Sequence, residues 1–204
     1  MTSGADLSRR AMLSGAAVMV VASTQACAQS GPRPTGAQSK TLVAFFTRTG
    51  NTKVIAGTIQ RTIGADLFEI VPARPYPKDY EETVAQATRE RDQDVEPPLR
   101  GHVSDIGVYD EIYLGFPIWG ETAPPVIRAF LKAHALRGKT VRPFITHGGY
   151  GVGKSLSVLA SHAPGAQIEQ PFVMEADQER RTMSQVKDWL GQIEGDRNED
   201  ANPW

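Results

Sequence analysis

Three features of the sequence predict a doubly wound α/β fold with a five-stranded parallel sheet. Short apolar runs recur along the chain, segments with helical spacing of apolar residues separate them, and turn-forming residues mark the boundaries. Continuous apolar runs indicate strands buried on both faces, and parallel strands need crossover connections, which are usually helices. The sequence therefore predicts strands and helices in alternation, with helices on both sides of the sheet.

The predicted elements lie between residues 40 and 194. The first strand is TLVAFF at 41–46, and the helical pattern NTKVIAGTIQRTI at 51–63 follows it. The later strands are DLFEIV at 66–71, YDEIYLG at 109–115, TVRPFIT at 140–146 and IEQPFVM at 168–174. The later helices are expected near residues 79–92, 124–135, 155–162 and 181–193. Prolines at 124 and 125 suit the first turn of a helix.

The first 28 residues are predicted to be an export signal that is removed from the mature chain. The apolar run from Ala11 to Ala22 is shorter than the ~20 residues of a membrane-spanning helix, and Ala26-Cys27-Ala28 fits a signal peptidase site. Residues 29–39 are expected to form a flexible leader, and residues 195–204 a polar, disordered tail. The folded domain is then expected over residues 40–194.

Two adjacent arginines, Arg9 and Arg10, stand in this signal within the stretch SRRAML. The stretch resembles the twin-arginine signal, whose transporter carries folded proteins, and it implies a periplasmic or extracellular location. An ordinary secretory signal is one alternative. A lipid anchor at Cys27, the only cysteine, is another, although the leucine usual three positions earlier is missing. If cleavage follows Ala28, the mature chain has no thiol, which excludes disulfides and thiol chemistry.

Charge is nearly balanced along the chain. The full sequence has a formal net charge of -1, and without residues 1–28 it has 20 basic and 22 acidic residues, a net charge of -2. These values give no electrostatic reason to expect nucleic acid or an anionic membrane as a partner. No metal site is predicted.

Residues 148–155 match the phosphate-binding loop of P-loop nucleotide hydrolases: Gly148, four further residues, then Gly153-Lys154-Ser155. In P-loop proteins this loop normally follows the first strand. Here it follows the fourth predicted strand, and only one strand remains after it. Nucleotide hydrolysis is therefore a remote alternative.

A better phosphate site follows the first predicted strand, in the stretch TRTGNT. Threonine hydroxyls can donate hydrogen bonds there, a glycine lets the backbone approach closely, and the amides that open the next helix point to the same place. Such a site holds a phosphate dianion without lysine or arginine, and a polar cap between strand and helix is the alternative. The predicted residues are Thr47, Arg48, Thr49, Gly50, Asn51 and Thr52.

This stretch resembles the FMN phosphate loop of the flavodoxins, Thr/Ser-x-Thr-Gly-x-Thr/Ser. The resemblance extends over YPKDY at 76–80, residues 109–131, GKTVRPFITHGGYGVG at 138–153 and HAPGA at 162–166. It is to a branch of flavodoxin-like proteins with a Gly-x-Pro-x-Trp loop after the third strand. It implies strand order 2-1-3-4-5 and FMN at the switch point, outside the carboxyl ends of strands one and three.

The resemblance also implies two loops around the flavin ring. In FPIWGET, Trp119 would stack on the ring and help to set its redox potential, Pro117 and Ile118 would shape the approach, and Gly120 stands where the family often has a second aromatic residue. The loop after strand four would form the flavin rim with Thr146, His147, Gly148, Gly149, Tyr150 and Gly151. His147 is a candidate proton donor, and a purely structural hydrogen bond is the alternative.

Two classes of function follow from the resemblance. The first is an exported FMN oxidoreductase that passes electrons from a reduced donor to a small acceptor such as a quinone. The second is a non-enzymatic electron carrier that docks on protein partners. Such carriers are strongly acidic, so the balanced charge favours the enzyme. The expected partner is a small molecule or a redox protein, without nucleic acid and without stable membrane insertion after cleavage. A module without cofactor is disfavoured because both flavin loops keep their donors and the tryptophan.

Overall fold

A computed structural model describes residues 40–149, 151–175 and 179–201 of the chain. The predicted export signal, the lipid-anchor candidate Cys27 and the leader at 29–39 lie outside the described residues, as does Tyr150. None of the helices in the described ranges is both long enough and apolar enough to cross a membrane.

Strands and helices alternate along the described chain as the sequence predicts. The strands are β1 Lys40–Phe45, β2 Asp66–Glu69, β3 Tyr109–Pro117, β4 Thr140–His147, β5 Gln167–Ile168 and β6 Phe172–Glu175. The helices are α1 Asn51–Ile63, α2 Tyr80–Asp92, α3 Pro125–Ala133, α4 Ser155–His162 and α5 Glu179–Ala201. Helix α5 continues past its predicted end near residue 193, so the segment expected as a polar tail begins inside this helix.

All strand pairs in the sheet are parallel, with the order β2-β1-β3-β4-β5, and β6 also pairs with β4. This confirms the predicted doubly wound fold and the order 2-1-3-4-5. The single fifth strand predicted over 168–174 is wrong in detail, because it is divided into β5 and β6. Pro143 in β4 and Pro171 between the two short strands both lack the N–H that a continuous ladder requires.

The sheet is covered on both faces. On one face, residues from β1, β3 and β4 pack with α3 and α4, with Ile127 and Phe130 of α3 fully buried. On the other face, Val43 and Tyr113 belong to a second cluster with Ile59 of α1 and residues of α5. The strand interiors are therefore apolar on both sides, and polar loops are confined to the strand ends. The loops after β1, β3 and β4 lie together at the carboxyl edge of the sheet.

Candidate functional site

The loop after β1 turns sharply into helix α1. Gly50 precedes the helix with a φ of +100°, which glycine adopts without strain, and its N–H donates to the hydroxyl oxygen of Thr47 over 3.0 Å. Helix α1 begins at Asn51 without a side-chain cap. The amide groups of its first turn therefore face the loop, where an anion would accept from them.

Arg48 extends from the same loop toward α2. Its Nη2 donates to the carbonyl of Lys78 over 2.9 Å, and its guanidinium carbon lies 5.7 Å from the ring centre of Tyr80. Its Nε is buried and has no hydrogen-bond partner in the described part of the chain. A buried donor without a partner is costly, so a ligand that accepts from Nε would stabilise this arrangement.

Thr146, at the end of β4, connects the three loops at this edge. Its hydroxyl lies 3.0 Å from the hydroxyl of Thr52 in α1, and both residues are almost completely buried. Its carbonyl accepts from the N–H of Ile118, in the loop after β3, over 2.8 Å. Three of the residues predicted to contact a cofactor, Thr52, Ile118 and Thr146, thus hold the loops in place through hydrogen bonds with one another.

Trp119 follows β3 and is half-buried between two other rings. Its ring centre lies 5.2 Å from that of Phe46 and 4.8 Å from that of Tyr76, and both pairs meet edge to face. Its backbone N–H donates to the carbonyl of Thr122 over 2.9 Å, which closes a tight loop. The position of the indole is therefore fixed by packing and by the loop backbone.

The two residues after Trp119 both have positive φ angles, +57° at Gly120 and +62° at Glu121. A side chain at Gly120 would meet the guanidinium of Arg91 from α2, so a larger residue here would require the arginine side chain to move. Glu121 is not a glycine, and this conformation costs it on the order of 1–3 kcal/mol. Its carbonyl accepts from the N–H of Lys154 over 2.8 Å. The loop is thus held in a strained conformation by its neighbours.

The residues that match the P-loop pattern support this strained loop instead of binding a nucleotide. Gly153 has a φ of +50°, and a side chain there would overlap with the backbone of Glu121. The side chain of Lys154 is exposed, whereas Ser155 has no exposed surface. Because this loop follows β4 instead of the first strand, and its backbone at Gly153 and Lys154 contacts Glu121, the geometry argues against the P-loop alternative.

His147 ends β4 and points its ring nitrogen Nδ1 at its own loop. Nδ1 accepts from the N–H of Gly149 over 3.0 Å, and Gly149 has a φ of +98°. In the neutral imidazole the proton is therefore on Nε2. This bond supports the structural alternative for His147 and leaves Nε2 as the nitrogen that can donate to a ligand.

A cavity of about 450 Å³, called the loop cavity here, opens between these loops and α2. Its volume lies within the roughly 300–1,000 Å³ of small-molecule sites. The predicted residues that line it are Arg48, Thr49, Pro117, Ile118, Trp119, Gly120, His147 and Gly148. In the described ranges, no cluster of His, Cys, Asp or Glu side chains could hold a metal ion.

The sequence matches the family described as Flavodoxin over residues 40–193. The chain belongs to the flavodoxin family. A comparison with curated proteins gives no match.

Solved structures of flavoproteins resemble this flavodoxin-family domain. A protein of Bacteroides eggerthii DSM 20697, assigned as a flavoprotein, is 33% identical with a TM-score of 0.65, and the match covers 76% of this chain and 98% of that one. A protein of Bacteroides uniformis ATCC 8492 with the same assignment is 29% identical, with a TM-score of 0.65 and coverage of 73% and 98%. A flavoprotein from Lactobacillus acidophilus NCFM, solved in complex with FMN, is 25% identical, with a TM-score of 0.58 and coverage of 72% and 99%.

The remaining predicted site residues of the flavodoxin domain lie outside the loop cavity. Thr47 and Gly50 belong to the loop after β1, Asn51 begins α1, and Thr52 and Thr146 are buried. Gly149 and Gly151 continue the loop after β4, with positive φ angles at both.

One wall of the loop cavity was missed by the sequence prediction. Helix α2 lines the cavity along one face with Tyr80, Thr83, Val84, Ala87, Thr88 and Arg91, and Glu121 faces the same space. Only Thr83 and Ala87 of this helix are buried, and its sequence YEETVAQATRERD contains no leucine, isoleucine or phenylalanine. A helix with so weak an apolar stripe contributes little to the core. This lack of apolar residues is the feature of the sequence that could have indicated a position at the site.

Proposed function

We propose that this domain binds FMN and uses it to transfer electrons from a reduced donor to a small acceptor such as a quinone. The observation that carries the proposal is the loop cavity, where loops from three neighbouring parallel strands meet around Trp119. Ligands of open α/β sheets bind at such a switch point. FMN, when bound, supplies a centre that takes up and releases electrons.

The loop after β1 suits the FMN phosphate. Gly50 leaves space above the loop, since nothing lies within 4 Å of the place where a side chain would start. The exposed Thr49 and the amides at the start of α1 supply donors. These groups complement a dianion through hydrogen bonds and through the helix dipole.

The walls of the loop cavity suit a planar, partly polar ring. Trp119 offers an aromatic surface, and Pro117 and Ile118 offer apolar contacts. The loop that begins at Gly148 adds backbone groups to the wall of the loop cavity. Nε2 of His147 would donate to the ring, and Arg91 adds a positive charge at the cavity wall. Positive and donor groups near the ring would favour electron uptake.

The alternative is a non-enzymatic carrier that docks on protein partners. Membership in the flavodoxin family favours a carrier, whereas the balanced charge of the chain gives no acidic surface field to steer it toward basic partners. Anaerobic reduction of the flavin-loaded protein with NADH or NADPH, followed by addition of quinones, separates the two. Rapid turnover supports the enzyme, and absence of turnover with reversible reduction supports the carrier.

Calorimetry of the FMN-free protein tests the cofactor. FMN should bind more tightly than FAD or than ATP with magnesium. Thr49→Ala should weaken FMN binding by about 1–3 kcal/mol because a phosphate contact is lost, while Lys154→Ala should leave it nearly unchanged. Tighter binding of ATP, or a loss of FMN binding in Lys154→Ala alone, would contradict the proposal.

The predicted export signal suggests where the flavoprotein works. FMN is made in the cytoplasm, so we propose that the domain folds and loads FMN there, then crosses the membrane by the twin-arginine route. The variant Arg9→Lys with Arg10→Lys should leave yellow, uncleaved protein in the cytoplasm. Cell fractionation with flavin analysis measures this, and normal export of that variant would refute the coupling of loading to export.

A further inference from the structure

A second cavity of about 470 Å³, called the side cavity here, shares Arg48, Thr49 and Trp119 with the loop cavity. Its other walls are Phe46 and Thr47, which follow β1, and residues of the segment 71–78, which connects β2 to α2. None of the described residues in the loop after β4 lines it. The flavin ring needs that loop under the proposed function, so the side cavity is a separate space beside Trp119.

Aromatic rings form one wall of the side cavity. Tyr76 packs edge to face against Trp119, and its phenol donates to Oε2 of Glu90 over 2.7 Å. Burial and the contact with Glu90 raise the pKa of Tyr76, so the phenol keeps its proton and this bond at neutral pH. Phe46 lies 6.1 Å from Tyr76, between the ring centres. The ring wall is therefore fixed in place.

The segment 71–78, which carries Tyr76, forms another wall with its backbone and is anchored at both ends. The N–H of Ala73 donates to the carbonyl of Pro98 over 2.7 Å, and the carbonyl of Val71 accepts from Arg100 over 2.8 Å. Further along, the carbonyl of Lys78 accepts from Arg48. Three prolines between these points restrict the chain, so the cavity is formed before a ligand enters: Pro72, Pro75 and Pro77.

The side cavity is positively charged. Arg48 and Lys78 line it, and none of its described lining residues is acidic. The Nε of Arg48 is buried without a partner in the described structure, and the side chain of Lys78 is exposed. Positive groups beside aromatic walls favour a ligand that combines a flat ring with an anionic group.

We propose that the side cavity binds a second ligand, a planar aromatic anion of one or two rings, beside Trp119 and separately from FMN. Its ring packs against Tyr76 and Trp119, and its anionic group accepts from Lys78 and from the Nε of Arg48. The inference rests on the proposed function only in assigning the neighbouring loop cavity to the flavin ring.

The test uses the FMN-loaded protein and two probes of equal shape, 2-naphthoate and the neutral 2-naphthamide. In calorimetry, 2-naphthoate should bind without releasing FMN and about tenfold or more tightly than 2-naphthamide, because charge-assisted hydrogen bonds form only with the anion. Lys78→Gln should weaken 2-naphthoate binding several-fold while 2-naphthamide and FMN bind as before. The backbone carbonyl that holds Arg48 is retained in this variant.

The matched control is Lys53→Gln, since Lys53 is exposed, pairs with Glu69 and lines neither cavity. It should bind 2-naphthoate like the unchanged protein. Equal affinity for the two probes, displacement of FMN by 2-naphthoate, or equal binding in Lys78→Gln and Lys53→Gln would each overturn the inference. If FMN itself fails to bind, the proposed function fails. If 2-naphthoate then still binds in a way that depends on Lys78, the ligand site in the side cavity is supported independently of FMN.

Discussion

The hydroxyl groups of Thr52 and Thr146 lie 3.0 Å apart in the interior and join the start of α1 to the end of β4. Since the carbonyl of Thr146 also accepts from the N–H of Ile118, the loops after β1, β3 and β4 meet at one residue. The geometry of the loop cavity is therefore set by buried hydrogen bonds. This favours binding because the loops lose little conformational entropy when a ligand enters.

Replacing Thr146 with valine should lower the free energy of unfolding by about 1–3 kcal/mol, because the buried hydroxyl of Thr52 loses its partner. The double variant Thr52→Val with Thr146→Val should lose less free energy of unfolding than the two single variants lose in sum, since both polar groups are removed together. Urea denaturation of the FMN-free proteins measures this coupling. Strict additivity would show that the two hydroxyls do not interact.

Replacing Gly153 with alanine should displace the loop that carries Trp119. Its φ of +50° disfavours other residues, and the added carbon would overlap with the backbone of Glu121. We expect a loss of about 1–3 kcal/mol in the free energy of unfolding and weaker FMN binding. Lys154→Ala is the neighbouring control, because it keeps the backbone N–H that donates to the carbonyl of Glu121. Equal stability of the two variants would argue against this support of the loop.

FMN binding should slow hydrogen exchange in α2 more than in α3. Only Thr83 and Ala87 of α2 are buried, whereas most residues of α3 lie in the core. A helix with few buried contacts opens easily, and a ligand against its cavity face should stabilise it. Exchange measured by mass spectrometry with and without FMN tests this. Equal protection of both helices would mean that α2 does not contact the cofactor.

His134, which directly follows α3, makes two hydrogen bonds that fit the neutral imidazole. Its Nε2 accepts from the N–H of Val103 over 3.0 Å, so its Nδ1–H donates to the carbonyl of Phe130 over 2.8 Å. Burial lowers the pKa of His134 below its usual 6.5, the bond to Phe130 opposes this in part, and nearby His102 lowers it further. Protonation in the folded state would break the bond from Val103.

The stability contributed by His134 should therefore fall in acid. Because its pKa is lower in the folded than in the unfolded state, the unfolded chain takes up a proton first as the pH falls below about 6.5. The variant His134→Gln should show a smaller loss in the free energy of unfolding between about pH 7 and pH 5, measured by urea denaturation. His102→Gln, which removes only a neighbour, should change the slope less. An unchanged slope in His134→Gln would exclude this group as the cause.

The strands and most helices could be predicted because their apolar residues are buried on both faces of the sheet. The break between β5 and β6 could not, since Pro143, in the strand with which both segments pair, is distant in sequence from Pro171 between them. The resemblance of residues 148–155 to a P-loop wrongly suggests a nucleotide site. Glycines with positive φ are needed for tight backbone contacts as well as for loops that bind phosphate. Local sequence likewise cannot reveal that the hydroxyls of Thr52 and Thr146 form a hydrogen bond with each other.

Helix α2 has a consequence for how this domain can change over evolution. Its cavity-facing side chains contribute little to the core, which α1, α3, α4 and α5 close over the sheet. Substitutions at positions such as Val84 and Thr88 can therefore alter which molecules the site accepts while the fold keeps its stability. Binding preference and folding are encoded largely in different residues, so descendants of this chain can acquire new ligands without first acquiring a more stable scaffold.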